Sequence, residues 1–534
     1  MENIKLLDCT LRDGGYNNDW NFGHNTLVNI FNRIVSAGID CIEIGFLDDR
    51  SIFNINRSIM PNTNSIDKIY GGLKKGNTMV VAMIDYGTCS IENIQPCNES
   101  FIDGIRVIFK MHLMHEALDF CKQLKLLGYK VFTQAVSFTT YDDGKIKELA
   151  TLVNEVKPYA VSVVDTYGLM FTRNLFHYYE MMDKYLDPEV AFGYHAHNNF
   201  QLAFSNCIEL ANLHAGKSRT LLLDGSIYGM GKGCGNAPLE LLAMYMNDRF
   251  DSKYDLSQIL EAIDVNISDL YSQYHWGYSL KGFVAASNDC HPNYVSYLLN
   301  KKTLSLKSID EILKMITIEK KLMYDQGYIE HLYQEYQKNT WEDTKAYMDL
   351  AKELNKKEIL ILGPGVTITE EKEVIDHYVN KNHPIIISIN YLPEYWKSNF
   401  LFITNSKRYV QQAATLNKLG NTIKIIATSN VTKAEGQFDY IMDYESLIDP
   451  NAIFADNSFI MLLKILEKTG VQNVKVAGLD GYSSERESNY YISKMEYDFA
   501  KQKGNEINKY VNKYLEYVKD KIQINFITST IYKA

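Results

Sequence analysis

Short runs of β-branched and other apolar residues alternate with amphipathic stretches over about the first 245 residues. The runs are Ile4–Cys9, Cys41–Phe46, Thr78–Asp85, Gly104–Lys110, Lys130–Ser137, Ala160–Thr166, Val190–His197 and Thr220–Ser226. Their length and β-branched content predict eight strands. Between them, Thr26–Ala37, Leu113–Leu127, Lys145–Val156 and Gln201–Leu213 repeat apolar residues three and four apart, the spacing of a one-faced helix. Strict alternation of strand and helix implies a parallel sheet. Eight such units in about 240 residues predict a closed (β/α)8 TIM barrel rather than an open sheet.

The pattern then changes. Residues 251–355 read as mostly helical, rich in Tyr and Lys, with an irregular insert at Ser287–Tyr294. Lys352–Lys357 is a charged hinge, and from Glu358 the alternation resumes. Glu358–Leu362, Pro384–Asn390, Phe400–Asn405, Lys424–Ser429, Tyr440–Asp443 and Val474–Leu479 predict six short strands with helices between them. This is the layout of an open, doubly wound Rossmann-like α/β domain. The expected organisation is therefore a barrel over 1–250, a helical extension over 251–355 and a second α/β domain over 356–534.

Composition narrows the function classes. A chain of 534 residues with 46% hydrophobic and 22% charged residues is an ordinary globular one, too long for a single core. The net charge of −10 argues against a nucleic-acid or anionic-membrane partner, so an anionic substrate needs a local positive site. No run of apolar residues is long enough to span a membrane, and Met1–Lys5 lacks the layout of a signal peptide. Eight cysteines without a CxxC pair read as scattered thiols, and a cytoplasmic location is expected.

Catalytic groups of such barrels sit at the carboxyl ends of the strands. The first run leads into Arg12 and Asp13, and the seventh ends in His195-Ala196-His197. Two residues apart on a strand, both imidazoles face the same side, here the barrel interior. Two imidazoles with the carboxylate of Asp13 make a facial ligand set for a divalent metal that leaves positions open for substrate.

These residues also carry a resemblance. Leu7-Asp8-Cys9-Thr10-Leu11-Arg12-Asp13-Gly14-Gly15-Tyr16, His195-Ala196-His197-Asn198-Asn199 and Gly229–Glu240 resemble the three motifs of the DRE-TIM metallolyase superfamily, the HMG-CoA-lyase-like domain. They occur in order, at the expected strands, over about 250 residues. The resemblance implies that Asp13, His195 and His197 bind a divalent metal, Mn or Mg, and that Arg12 stabilises an enolate. Asn236 matches a further ligand in some members and a neighbour in others. Glu43, Asp165 and Thr166 match substrate-proximal positions, although Asp165 equally fits a turn cap.

Asn198-Asn199 and Gly235-Asn236-Ala237-Pro238-Leu239-Glu240 look most like the 4-hydroxy-2-oxovalerate aldolase branch. The acyl-CoA synthases typically place an Asp where this chain has Asn199. A 2-oxo acid and an aldehyde are the substrates so implied. One departure is Tyr16, which stands where those aldolases carry an acid/base His. A phenol with an ordinary pKa of about 10 needs that value depressed before it accepts a proton near neutrality. His291, in the irregular insert, is the alternative carrier of that proton, or a structural residue of its turn.

In the last domain, Gly363-Pro364-Gly365 at a strand–helix junction is either a tight turn or a phosphate cradle. The domain weakly resembles the nucleotide-binding α/β domains of surface-glycan enzymes, which implies a nucleotide or nucleotide-sugar ligand. A homo-oligomer is expected. Set against the aldolase reading are a Claisen-type acyl-CoA condensing enzyme and a barrel that has lost catalysis and serves as a scaffold.

Overall fold

The computed structural model describes residues 3–533 except 302, 322, 450, 451, 453, 454, 487, 493, 494, 496 and 497. Contacts between Cα atoms divide the chain once, between Asp289 and Cys290. The helical stretch after residue 250 falls on both sides of that division.

In the first unit each of the eight apolar runs is a strand: β1 (Ile4–Asp8), β2 (Cys41–Leu47), β3 (Met79–Asp85), β4 (Gly104–Phe109), β5 (Lys130–Ala135), β6 (Ala160–Asp165), β7 (Ala191–Ala196) and β8 (Leu221–Gly225). Every neighbour pair is parallel, and β1 closes the barrel by pairing with both β2 (Leu7 opposite Cys41) and β8 (Leu6 opposite Leu223). Closure removes the sheet's edges and buries both strand faces, which is why the strands read as apolar runs rather than alternations.

Helices cover the outside with their apolar stripes inward. In His24–Ser36 the buried residues are Leu27, Ile30, Phe31 and Ile34, one face of a 3.6-residue period. Each such side chain contributes roughly 1.5–3 kcal/mol by leaving water. A short strand, Ile59–Met60, lies beside the end of β2. The crowding there explains Gly45: its φ is +144°, and a Cβ on it would sit 1.9 Å from the Ser58 carbonyl oxygen.

The second unit opens with the helices Pro292–Asn300, Leu306–Lys314, Gln326–Gln337 and Thr344–Leu354. A parallel sheet of seven strands follows: β9 (Ile359–Leu362), β10 (Ile385–Ile389), β11 (Phe400–Ile403), β12 (Lys424–Thr428), β13 (Tyr440–Met442), β14 (Asn473–Ala477) and β15 (Gln523–Phe526). The order across it is β13-β12-β11-β10-β9-β14-β15. Six of these were expected. β15 was not, because its four residues, Gln-Ile-Asn-Phe, present no apolar run on an edge of the sheet.

Alternate residues of β9 serve two cores. Ile359 and Ile361 pack with Phe459, Leu462 and Leu466 of the helix Ser458–Lys468, whereas Leu360 and Leu362 pack with Ile368 and Ile375. Both faces are thereby covered, as a doubly wound sheet requires. Among the described residues, no helix is long and apolar enough to cross a membrane.

Candidate active site

On leaving β1 the chain enters a single helical turn, Thr10–Asp13. Thr10 anchors it: its hydroxyl donates to Asp8 at 2.5 Å and accepts from the Ile227 amide at 2.8 Å, tying the end of β1 to the loop after β8. The turn sets Arg12 and Asp13 inside the mouth of the barrel, both nearly sealed from solvent. His195 on β7 and His197 just beyond it point to the same place. One ligand atom each from Asp13, His195 and His197 falls within a cluster no wider than 4.8 Å.

Nε2 of His195, Nδ1 of His197 and Oδ1 of Asn236 are buried and find no hydrogen-bond partner among the described residues. Orphaned lone pairs of this kind are costly to bury unless something occupies the space between them. Burial pushes the His197 imidazole down to about 4, so it is neutral and able to ligate near neutrality. Burial alone would raise the Asp13 carboxyl, but Arg12 and the two imidazoles hold it well below the ordinary carboxylate range. Two imidazoles, an ionised carboxylate and an amide oxygen fit a divalent cation.

Asn236 Nδ2 donates to Asp13 Oδ2 at 2.8 Å, and the Lys232 amide donates to the same oxygen at 3.1 Å. The loop comes this close because of Gly231. A Cβ there would lie 2.3 Å from Asn236 Nδ2 and 2.6 Å from Asp13 Oδ2. The glycine-rich third motif thus lets the backbone press on the ligand set.

Behind the ligands runs a fully buried chain of charges. Arg12 Nε donates to Glu43 Oε2 at 2.6 Å and its Nη1 to Asp13 Oδ1 at 2.5 Å. Glu43 Oε2 also lies 3.1 Å from Arg106 Nη1. Arg106 Nη2 donates to Asp224 Oδ2 at 2.5 Å and to Gln134 Oε1 at 3.0 Å. The same Asp224 oxygen accepts from His195 Nδ1 at 3.0 Å, which leaves Nε2 of that ring as the nitrogen able to ligate. Glu43 therefore fixes the two arginines. Arg106 and Asp224 were missed in the sequence, although an Arg and an Asp inside otherwise apolar strands, Gly-Ile-Arg-Val-Ile-Phe and Leu-Leu-Leu-Asp-Gly, are the signal that finds them.

The remaining candidates fall in different places. Asp165 ends β6 at the same rim, yet its two oxygens accept from the amides of Leu169 (2.8 Å) and Met170 (3.0 Å), and burial pushes its carboxyl up to about 6. Thr166 Oγ1 accepts from the Ser137 amide at 2.8 Å, joining the loops after β5 and β6. Tyr16 is 41% exposed, with its ring against Trp20 and Phe46 and Lys232 Nζ 5.0 Å from its centre. Desolvation pushes its phenol up to about 12, the reverse of what a base requires. His291 belongs to the second unit, where Nδ1 accepts from the Asn293 amide at 3.2 Å and caps the helix Pro292–Asn300. Asn199, which separates the aldolase-like pattern from the synthase-like one, donates to the Tyr167 carbonyl and accepts from the Cys234 amide.

The family model described as HMGL-like matches residues 3–265. An oxaloacetate decarboxylase of Mycobacterium tuberculosis is 25% identical over 272 residues, 48% of this chain and 74% of that protein. A 4-hydroxy-2-oxovalerate aldolase of Pelotomaculum thermopropionicum is 24% identical over 270 residues, 49% of this chain and 76% of that protein. Among solved structures, the N-terminal domain of a candidate aldolase from Bacteroides vulgatus superposes with a TM-score of 0.48 at 23% identity, covering 57% of this chain and 99% of that one.

Proposed function

We propose that the first unit, whose residues 3–265 match the HMGL-like family model, is an aldolase that makes or breaks the carbon–carbon bond next to the enolate of a 2-oxo acid. One observation carries this reading: Asp13, paired with Arg12, meets His195 and His197 at the barrel mouth, where His195 Nε2 and His197 Nδ1 are buried with no hydrogen-bond partner among the described residues.

Asp13, His195, His197 and the amide oxygen of Asn236 would hold a divalent ion, Mn or Mg. Such an ion, when bound, supplies Lewis-acid polarisation of a ketone oxygen. Arg12 is locked by Glu43 and Asp13, so its permanent charge is already oriented before substrate arrives. Negative charge developing on a substrate oxygen beside Asp13 is stabilised by that guanidinium at no cost of reorganisation. Tyr16 keeps its proton at working pH and serves as a proton or hydrogen-bond donor at Oη, not as the base.

Decarboxylation of oxaloacetate passes through the same enolate, and the 25% identical relative makes it the second reading. The test is pyruvate release by the Mn-loaded full-length chain, corrected for the metal-only background. Release from a 4-hydroxy-2-oxo acid is the expected result, with release from oxaloacetate alone favouring the decarboxylase. No release from either, with the ion shown to be bound, overturns the enolate reading.

A further inference from the structure

From β9 the chain steps outward through β10, β11, β12 and β13, then crosses to the other side of β9 to lay down β14 and β15. The loops leaving β9 and β14 diverge at this reversal, and open parallel sheets hold ligands in the crevice so formed. Here that crevice is a cavity of about 470 Å³, bordered by Gly365 after β9, Asn390 after β10, Asn405 after β11 and Asp480 after β14. Its volume is in the range of small-molecule sites. It uses none of the residues assigned to the lyase reaction.

The lining has two characters. Two helices start at the cavity wall, Ser406–Leu419 behind Asn405 and Ser458–Lys468 behind Asn457. Asn405 and Asn457 cap them by accepting from the Arg408 and Ile460 amides, and the two helix dipoles favour an anion at this end. Arg408, in the first turn of the former, is buried, lines the cavity and is steadied by donating Nη2 to the Met495 carbonyl at 2.8 Å. Four carboxylates border it: Asp480 accepts from Thr367 and Arg486, Glu330 pairs with Lys301 at 2.6 Å, Asp456 accepts from the Tyr333 and Tyr444 hydroxyls at 3.4 Å, and Glu445 from the Thr340 hydroxyl at 3.3 Å. Elsewhere the wall is aromatic, with Tyr444, Phe459, Tyr482 and Tyr490 lining it and the hydroxyls of the last two 2.8 Å apart. Flat π faces beside an anion-holding corner suit a ligand with a planar ring and a phosphate.

We propose that this crevice binds a nucleoside phosphate, with its phosphate at Arg408 and the two helix starts and its base against the tyrosines. Isothermal titration of the full-length chain with CMP, UMP, AMP and GMP tests it, each set against its own nucleoside and against inorganic phosphate. At least one nucleotide is expected to bind once per chain, with its nucleoside and phosphate each at least ten-fold weaker. Arg408→Gln and Tyr490→Leu are each expected to weaken that nucleotide ten-fold or more, with circular dichroism and thermal unfolding reporting an intact fold. Because Arg408 is buried, Tyr490→Leu decides the location if Arg408→Gln does not fold. No binding by any nucleotide overturns the proposal. So does phosphate or nucleoside binding as tightly as the nucleotide, or unchanged affinity in a folded variant.

Discussion

Asp224 Oδ2 accepts from His195 Nδ1 at 3.0 Å and from Arg106 Nη2 at 2.5 Å, so one buried carboxylate oxygen joins a candidate ligand imidazole to a buried guanidinium. Arg106 keeps the Asp224 carboxyl below its ordinary range against the opposing effect of burial. It is therefore an acceptor at any working pH, and the tautomer of His195 is set. Asp224→Asn offers an amide that can donate to Nδ1 and reverse that tautomer. The variant is expected to lose about 10- to 100-fold in Mn affinity, the usual effect of removing a ligand's outer partner. Metal titration followed by equilibrium dialysis measures it, and unchanged affinity would detach Asp224 from the metal site.

His197→Ala is expected to lose bound metal and turnover together, since it removes an imidazole whose buried Nδ1 finds no hydrogen-bond partner among the described residues. Elemental analysis of the dialysed variant checks this. Stoichiometric Mn or Mg in that sample would remove His197 from the ligand set.

Arg12→Lys is expected to keep the metal and lower kcat by about 10²–10³, the usual loss for one oxyanion contact. The guanidinium binds Glu43 and Asp13 through separate nitrogens, and an ammonium cannot keep both at that spacing while facing a substrate oxygen. Turnover close to that of the native chain, with metal bound, would exclude Arg12 from catalysis.

Tyr16→Phe is expected to reduce kcat more than His291→Ala, with little effect on metal affinity. The Tyr16 phenol stands three residues from Asp13, whereas His291 caps a helix in the second unit. A His291→Ala variant that loses turnover while Tyr16→Phe retains it would reverse the assignment.

Burial pushes the Asp8 carboxyl up to about 7, against partial relief from the Thr10 hydroxyl. The folded chain thus holds this proton more tightly than the unfolded chain. The resulting stability is full below about pH 4, the ordinary carboxylate value, and is lost as pH rises through 7. One such carboxyl contributes a slope of up to roughly 1.4 kcal/mol per pH unit. Asp8→Asn is neutral throughout, so its denaturant midpoint is expected to fall less between pH 4.5 and 7 than that of the native chain. Parallel midpoints for the two proteins would show that Asp8 does not titrate in this window.

The eight barrel strands were legible because a closed parallel barrel buries both strand faces and leaves an apolar run in the sequence. The candidate ligands were legible for a local reason: His195 and His197 share a face by strand periodicity, and Arg12 and Asp13 follow a strand end directly. Turn chemistry at Asp165 was legible as one of two readings, and its two accepted amides explain why the residue type alone could not choose between them. The edge strand Gln523–Phe526 was hidden because edge positions do not demand apolar side chains.

The order of strands and helices, the closure of the barrel and the identity of the candidate ligands were thus determined by the sequence itself, since each depends on spacing along the chain. Tertiary structure alone decided the Arg12–Glu43–Arg106–Asp224–His195 chain of charges, whose members come from five separate segments of the barrel. It also decided the direction in which the Tyr16 phenol is displaced, because burial and neighbouring charge are set by residues distant in sequence. The crevice between the loops after β9 and β14 is of the same kind. It exists because β14 returns to the far side of β9, and strand order across a sheet leaves no mark on local hydrophobic periodicity.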